Sequence, residues 1–262
     1  MTYNTILVEV TDRVATITIN RPELSNAFAR ETYGEIGAAV TELGARNDVG
    51  AIIITGAGKH FSAGGDIKRF KYLVDNEIYL NADDVASVGK QMISGIRNCP
   101  KPVIAMINGV ATGAGLSCAL ACDFRVVDPN SKMIMGFINL GLSGDNGSIY
   151  NLVRLIGPEK AALMMMTGNP VKGNACVSMG LATLCAEEGQ LADAAYTLAK
   201  TLASKPSAPH AAQKRLINQY FYGDLDAYYA EEAAEIAACS RKPDFAEAVN
   251  AFLEKRPPSF NK

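Results

Sequence analysis

The chain has 262 residues, 48% of them apolar, which is enough for one sizeable core. Its 25 basic and 27 acidic residues leave a net charge of −2, which excludes the basic footprint of a nucleic-acid or anionic-membrane binder. No apolar stretch approaches the roughly 18 residues of a membrane span, and the opening Met-Thr-Tyr-Asn lacks the basic cluster and apolar run of a signal peptide.

Taken from the N-terminus, Ile6 to Val10 alternates weakly and Val14 to Ile19 well between apolar and polar residues, with Thr-Asp-Arg between them, which predicts a hairpin. After the break at Asn20-Arg21-Pro22, apolar residues recur at helical spacing from Asn26 to Leu43: Phe28, Tyr33, Ile36, Val40 and Leu43. Ala51 to Thr55 is apolar without alternation, which reads as a strand buried on both faces. Residues 79–97 read as helix, Val103 to Ile107 as a second buried strand, Gly113 to Cys122 as helix and Phe124 to Val127 as a third strand.

Recurring strand, glycine-rich turn and helix imply crossover connections and a parallel sheet, hence an α/β fold. From Pro158 onward the pattern is almost wholly helical, with Ala182 to Cys185 as the one strand candidate. We expect a core over residues 1–190 and a helical C-terminal region over 191–262. Six cysteines lie scattered, without a Cys-x-x-Cys pair or a convergent histidine. No metal site is expected from them, and reduced cysteines fit a cytoplasmic protein.

Two turns carry the chemistry. The first is His60-Phe61-Ser62-Ala63-Gly64-Gly65-Asp66-Ile67, and the second is Asn108-Gly109-Val110-Ala111-Thr112-Gly113-Ala114-Gly115-Leu116. Each follows a buried strand and leads into a helix. Glycine lets a ligand approach the main chain, and a helix N-terminus offers free N–H groups with partial positive charge. Two such turns face to face can hold one oxygen between two N–H groups, as an oxyanion hole does. By pattern alone, a pair of tight βα turns without a ligand is an equal reading. No Gly-x-x-x-x-Gly-Lys-Ser/Thr phosphate loop is present.

The two turns, in this order, resemble the signature of the crotonase (enoyl-CoA hydratase/isomerase) superfamily. So do Asn20-Arg21-Pro22 with Asn26-Ala27-Phe28, the strand Pro102-Val103-Ile104-Ala105, Ala121-Cys122-Asp123 and the ending Phe252-Leu253-Glu254-Lys255-Arg256. The resemblance implies a spiral of ββα units with C-terminal helices, assembled as a homotrimer or hexamer. It implies an acyl-CoA thioester as substrate and no cofactor beyond the coenzyme A that the substrate carries. It places the oxyanion donors on the N–H groups of Gly65 and Ala114. It places coenzyme A near Ala27, Ala63, Asp66 and Ile67, with Phe252 and Lys255 reaching it in the same or a neighbouring subunit. From the sequence pattern, Asp66 is expected to cap the following helix.

Hydratases of this family use two glutamates. The matching positions here are Ser117 and Phe137, and neither is a carboxylate. One carboxylate does lie in the turn that faces the acyl chain in the family: Asp145, in Gly141-Leu142-Ser143-Gly144-Asp145-Asn146-Gly147. An aspartate there resembles the aspartate-dependent isomerases, including the ring-epoxide isomerase of phenylacetate degradation. It resembles the 4-chlorobenzoyl-CoA dehalogenase less well, because the histidine base of that enzyme has no counterpart in Val88-Gly89-Lys90-Gln91-Met92.

The expectation is therefore an isomerase that shifts a double bond of an enoyl-CoA or dienoyl-CoA, with Asp145 as acid and base. Three alternatives stay open. Asp145 is also a good helix N-cap; the protein is also readable as a hydratase, hydrolase or dehalogenase of a cyclic or aromatic acyl-CoA; and a non-catalytic acyl-CoA-binding protein would share the fold. The apolar stretch between Arg69 and Ala86, with Tyr72, Leu73, Ile78, Tyr79 and Leu80, is expected to wall the acyl pocket.

Overall fold

The computed structural model describes residues 2–261. The chain opens with strands β1 (Ile6–Thr11) and β2 (Val14–Ile19), then helix α1 (Arg30–Ala45), strand β3 (Ala51–Gly56) and helices α2 (Ile67–Asp75) and α3 (Ala82–Asn98). Strands β4 (Val103–Met106) and β5 (Val110–Thr112), helix α4 (Ala114–Ala121) and strands β6 (Phe124–Val127) and β7 (Lys132–Ile134) follow. Next come α5 (Ser148–Ile156), α6 (Pro158–Thr167), β8 (Val171–Lys172), α7 (Asn174–Met179) and β9 (Leu184–Cys185). Four helices close the chain: α8 (Leu191–Ala203), α9 (Ser207–Phe221), α10 (Leu225–Ser240) and α11 (Pro243–Glu254).

The strands form a six-stranded sheet, β1-β2-β3-β4-β6-β9, and a three-stranded sheet, β5-β7-β8. Among the described residues only β1–β2 and β7–β8 pair antiparallel. The β1–β2 hairpin turns on Asp12 and Arg13, both at positive φ (50° and 65°), so the turn follows the twist of its strands. From β4 onward the chain crosses directly from the six-stranded to the three-stranded sheet (β4 to β5, β6 to β7) and returns through helices (α4 to β6, α7 to β9). That alternation is the ββα spiral.

The non-alternating run of β3 now has its cause. Ile53 faces a cluster with Val14, Ala51, Ile104 and Val126, covered by Leu191, Ala195, Ala199 and Ala203 of α8. Those four recur every fourth residue, one stripe of a helix. Ile52 and Ile54 face the main core with α1 and α3, where Ile36, Val40, Met92 and Ile93 lie within it. Both faces of the strand are buried, so neither side needs polar residues.

Helix α1 starts at Arg30, later than the periodicity of residues 26–43 predicts. Ser25 and Asn26 stand at positive φ (52° and 56°), and the Asn26 amide donates to the carbonyls of Ala57 (2.8 Å) and His60 (2.6 Å). The segment before the helix is thereby committed to bracing the first glycine turn. Likewise α3 starts at Ala82, where Asn81 caps it by accepting from the Asp84 N–H at 3.0 Å.

The apolar faces of the C-terminal helices divide. Leu216, Ile217, Tyr220 and Phe221 of α9 are exposed, whereas Ala233 and Ile236 of α10 are buried. Helix α10 packs on α3, and α11 packs on α2, where Phe245 meets Phe70 edge-on at 5.7 Å.

Candidate active site

The first glycine turn is held in place from three sides. Phe28 N–H donates to the Gly64 carbonyl (2.7 Å), and Ser62 and Thr112 exchange ladder bonds with β5 and the turn (Ser62 N to Val110 O 3.0 Å, Thr112 N to Ser62 O 3.1 Å). Arg21 reaches across to the Ala27 carbonyl (2.6 Å) and to the Asp66 carboxylate (3.0 Å). Asp66 in turn caps α2 by accepting from the Lys68 N–H at 3.0 Å. This accounts for the conjunction of Asn20-Arg21-Pro22, Asn26-Ala27 and Gly64-Gly65-Asp66 in one sequence: they are parts of one brace.

The second turn lies directly against the first. Gly64 stands at φ 88°, and a Cβ on it would sit 2.9 Å from the Thr112 carbonyl oxygen and 3.5 Å from the Gly113 Cα. Gly113 stands at φ 51° and hands the chain to α4. Ala114 is the first residue of α4, so its N–H has no acceptor inside the helix. Among the described residues the Gly65 N–H also donates to no other group. Two unpaired N–H groups therefore come from adjoining turns, one of them with the dipole of α4 behind it.

Both border a narrow cavity of about 90 Å³. Its walls include Phe28, Tyr33, Phe70, Leu80, Val85, Val88, Phe137, Leu142 and Ile236. Phe28 and Tyr33 meet edge-on at 5.1 Å, so this part of the lining is aromatic and aliphatic. Of the residues that the sequence singles out, the cavity brings together Ala63, Gly65, Asp66, Ala114, Phe137 and Asp145. Ala27 and Ile67 flank it without lining it. Phe252 is 62% exposed at the far end of α11, and Lys255 follows in the left-handed C-cap. From the stretch between Arg69 and Ala86, Leu80 and Val85 reach the cavity, while Tyr72, Ile78 and Tyr79 face outward.

Three carboxylates line the cavity, and their surroundings separate them. Asp66 is paired with Arg21. Asp84 is paired with Arg30, lies 3.8 Å from Arg69 and is held below the usual carboxylate range by the Arg30 hydrogen bonds. Among the described residues Asp145 has no cationic partner. Burial pushes its carboxyl up to about 7, against which the one hydrogen bond from the Asn146 amide pulls down. Its charge in turn helps burial to raise the phenol of Tyr33 across the cavity.

Asp145 is not a helix cap. Helix α5 begins at Ser148 with Gly147 as N-cap and no side-chain capping bond. The Asp145 main chain is gripped by Ser117, whose hydroxyl lies 3.1 Å from the Gly113 carbonyl and 3.2 Å from the Asp145 carbonyl. Ser117 is fully buried, and it ties the second turn to the Asp145 turn. Phe137, at the other position where a glutamate would be expected, is an apolar wall of the cavity.

The arrangement can hold a polarised carbonyl oxygen on two N–H groups and set one unpaired carboxyl beside an apolar chain. The enoyl-CoA hydratase/isomerase family model matches residues 9–262. The chain belongs to that family. It is 31% identical over 261 residues to the crotonyl-CoA hydratase of Syntrophomonas wolfei, with 99% of each chain covered. It is likewise 31% identical over 255 residues to the 1,2-epoxyphenylacetyl-CoA isomerase of Escherichia coli, with 97% of each covered. Among solved structures, an enoyl-CoA hydratase of Mycobacterium avium subsp. paratuberculosis superposes with a TM-score of 0.88 at 26% identity over 99% of both chains. The protein is thus an enzyme of the crotonase superfamily with the crotonase fold, and an acyl-CoA thioester fits that family as substrate. Among the described residues no group of His, Cys, Asp and Glu could hold a metal ion, and no helix is long and apolar enough to cross a membrane.

Two site residues escaped the sequence reading. Gly89 of α3 packs on Asn146: a Cβ there would meet the Asn146 Oδ1 at 2.2 Å. Glu232 of α10 accepts from the N–H groups of Gly147 (2.6 Å) and Ile149 (3.4 Å). The signal for Glu232 was present, since it falls on the stripe Leu225, Tyr229, Ala233, Ile236 and Ser240, all buried, and a charge on a buried stripe is rare.

Proposed function

We propose that this enzyme is an enoyl-CoA isomerase of the aspartate-dependent kind, shifting a double bond of an enoyl-CoA or dienoyl-CoA. The observation that carries the reading is Asp145. Among the described residues it is the cavity carboxylate without a cation, and its carboxyl is raised to about 7, which suits a group that must take and return a proton near neutral pH.

In this mechanism the thioester carbonyl oxygen sits between the N–H groups of Gly65 and Ala114, an oxyanion hole for the charge that develops there. Asp145 removes a proton from the carbon next to the carbonyl of a 3-enoyl chain. The electron pair moves through the carbonyl carbon onto oxygen, giving a dienolate. The protonated Asp145 then delivers the same proton two carbons along, and the double bond comes to rest in conjugation with the thioester. No water is consumed, so a single acid/base suffices. The apolar Phe137 and the engaged hydroxyl of Ser117 stand where hydration would need carboxylates.

Coenzyme A is taken to run along Ala63, Asp66 and the neighbouring Ala27 and Ile67. Phe252 and Lys255 contribute from the same or an adjoining subunit of a trimer or hexamer, for which the exposed apolar face of α9 is suited. Hydration is the second reading. The name of the Syntrophomonas wolfei relative favours it, and it requires a second acid/base, whereas the other two carboxylates of the cavity, Asp66 and Asp84, are paired with Arg21 and Arg30.

The test is turnover of 3-enoyl-CoA by the wild type and by Asp145→Asn. The wild type is expected to form 2-enoyl-CoA and the variant to lose at least about a hundredfold in kcat. Full isomerase activity in Asp145→Asn would remove the reading.

A further inference from the structure

The turn that carries Asp145 is held by a residue far along the chain. Gly147 stands at φ 66°, and a Cβ on it would lie 3.3 Å from both the Asn151 amide and the Leu225 Cδ1. A serine or aspartate cannot take that place easily, so α5 cannot be capped from its own sequence in the usual way. The cap comes instead from Glu232, whose carboxyl spans the N–H groups of Gly147 and Ile149. Glu232 is 4% exposed. The groups acting on it are Asp145, the Gly147 and Ile149 N–H groups and the Ser148 hydroxyl from the α5 side, and it acts on the phenols of Tyr228 and Tyr229 on its own helix. Among the described residues, no lysine, arginine or histidine is one of them.

On the other side of the same turn, α3 approaches closely at Gly89, against the Asn146 side chain that donates to Asp145. The turn therefore has a rigid contact on each flank, α3 at Asn146 and Glu232 at Gly147, and Asp145 projects from between them. We propose that Glu232 is a positioning residue for the catalytic carboxyl: by fastening Gly147 and Ile149 to α10 it fixes where Asp145 stands relative to the acyl chain. A buried acid with no cation among the described residues is an expensive way to cap a helix, and it is explained by the need to place Asp145. The inference rests on the isomerase reading of Asp145. It predicts that the chemical step depends on Glu232 while substrate binding, which uses the two glycine turns, does not.

The experiment is steady-state kinetics on 3-enoyl-CoA with wild type, Asp145→Asn, Glu232→Ala, Glu232→Asp and Glu232→Gln, with the folded fraction of each measured by circular dichroism. Glu232→Ala is expected to lose about 10- to 100-fold in kcat, the scale of a displaced catalytic group, with KM changed less than about threefold. Glu232→Gln keeps an acceptor for Gly147 and recovers most of that loss. Glu232→Asp, one methylene too short, loses at least about fivefold in kcat, and it carries the test if the alanine variant does not fold. A loss that follows the folded fraction alone, a loss confined to KM, or wild-type kcat in both the aspartate and the glutamine variants overturns the proposal. If Asp145→Asn is inactive while the Glu232 variants keep full kcat, only this inference falls. If Asp145→Asn keeps full activity, the isomerase reading falls and takes this inference with it.

Discussion

Replacing Asp145 by asparagine should stabilise the protein while it destroys activity, and the stabilisation should grow with pH. Burial raises the carboxyl from 3.8 to about 7 in the fold. Between those two values the folded chain keeps a proton that the unfolded chain has already released. The contribution of the group to stability is therefore fully present below about pH 4 and is lost progressively as pH rises through 7. At about 1.4 kcal/mol per pH unit, the ionised carboxylate costs the fold up to about 4 kcal/mol above pH 7. Asparagine has no such loss and can still accept from the Asn146 amide.

Urea unfolding of the two proteins at pH 5 and pH 8 measures this directly. The advantage of Asp145→Asn should widen by about 2–3 kcal/mol between the two pH values. The same ionisation should govern the wild-type rate, with kcat/KM falling about tenfold per unit on the acid side of about pH 7. An advantage that stays constant from pH 5 to pH 8 would refute the assignment of a raised carboxyl to Asp145.

Other consequences follow from the same geometry. Ala114→Pro deletes the N–H at the first position of α4, a place where proline suits a helix, so the fold should persist by circular dichroism while kcat drops about 10²–10³-fold. Asp123 accepts from Lys214 (2.6 Å) and from the Val103 N–H (2.8 Å). Asp123→Ala strands the largely buried lysine and should cost about 3 kcal/mol or more in urea unfolding, with no change in KM of the folded enzyme.

What the sequence made legible was the long and the local. The hairpin, β3, β4, β6 and α4 follow from apolar runs bounded by glycine or polar breaks, because each buries one or two full faces. The start of α1 was misplaced because Asn26 and Phe28 are drawn out of the helix by bonds to the first glycine turn, which no local pattern encodes. The second sheet was missed because β5 and β7 have three residues each and β8 two, too few to show a period of two. At the cavity, Gly65, Ala114 and Asp145 were singled out through motifs that occupy a few consecutive residues, and the structure brings the three together. Glu232 and Gly89 act on the Asp145 turn from other helices, so their roles exist only once α3 and α10 are packed. The choice between cap and free carboxylate for Asp145 was likewise settled by where α5 begins.

The most direct measurement of the account is the fate of 3-enoyl-CoA and 2-enoyl-CoA incubated with the enzyme in D2O, followed by mass spectrometry of the acyl products. Double-bond migration is expected, with deuterium entering the chain where the protonated Asp145 exchanges before it returns its proton, and no product heavier by a water. Accumulation of a product that has gained one water, with no migration of the double bond, would contradict the single-carboxylate mechanism.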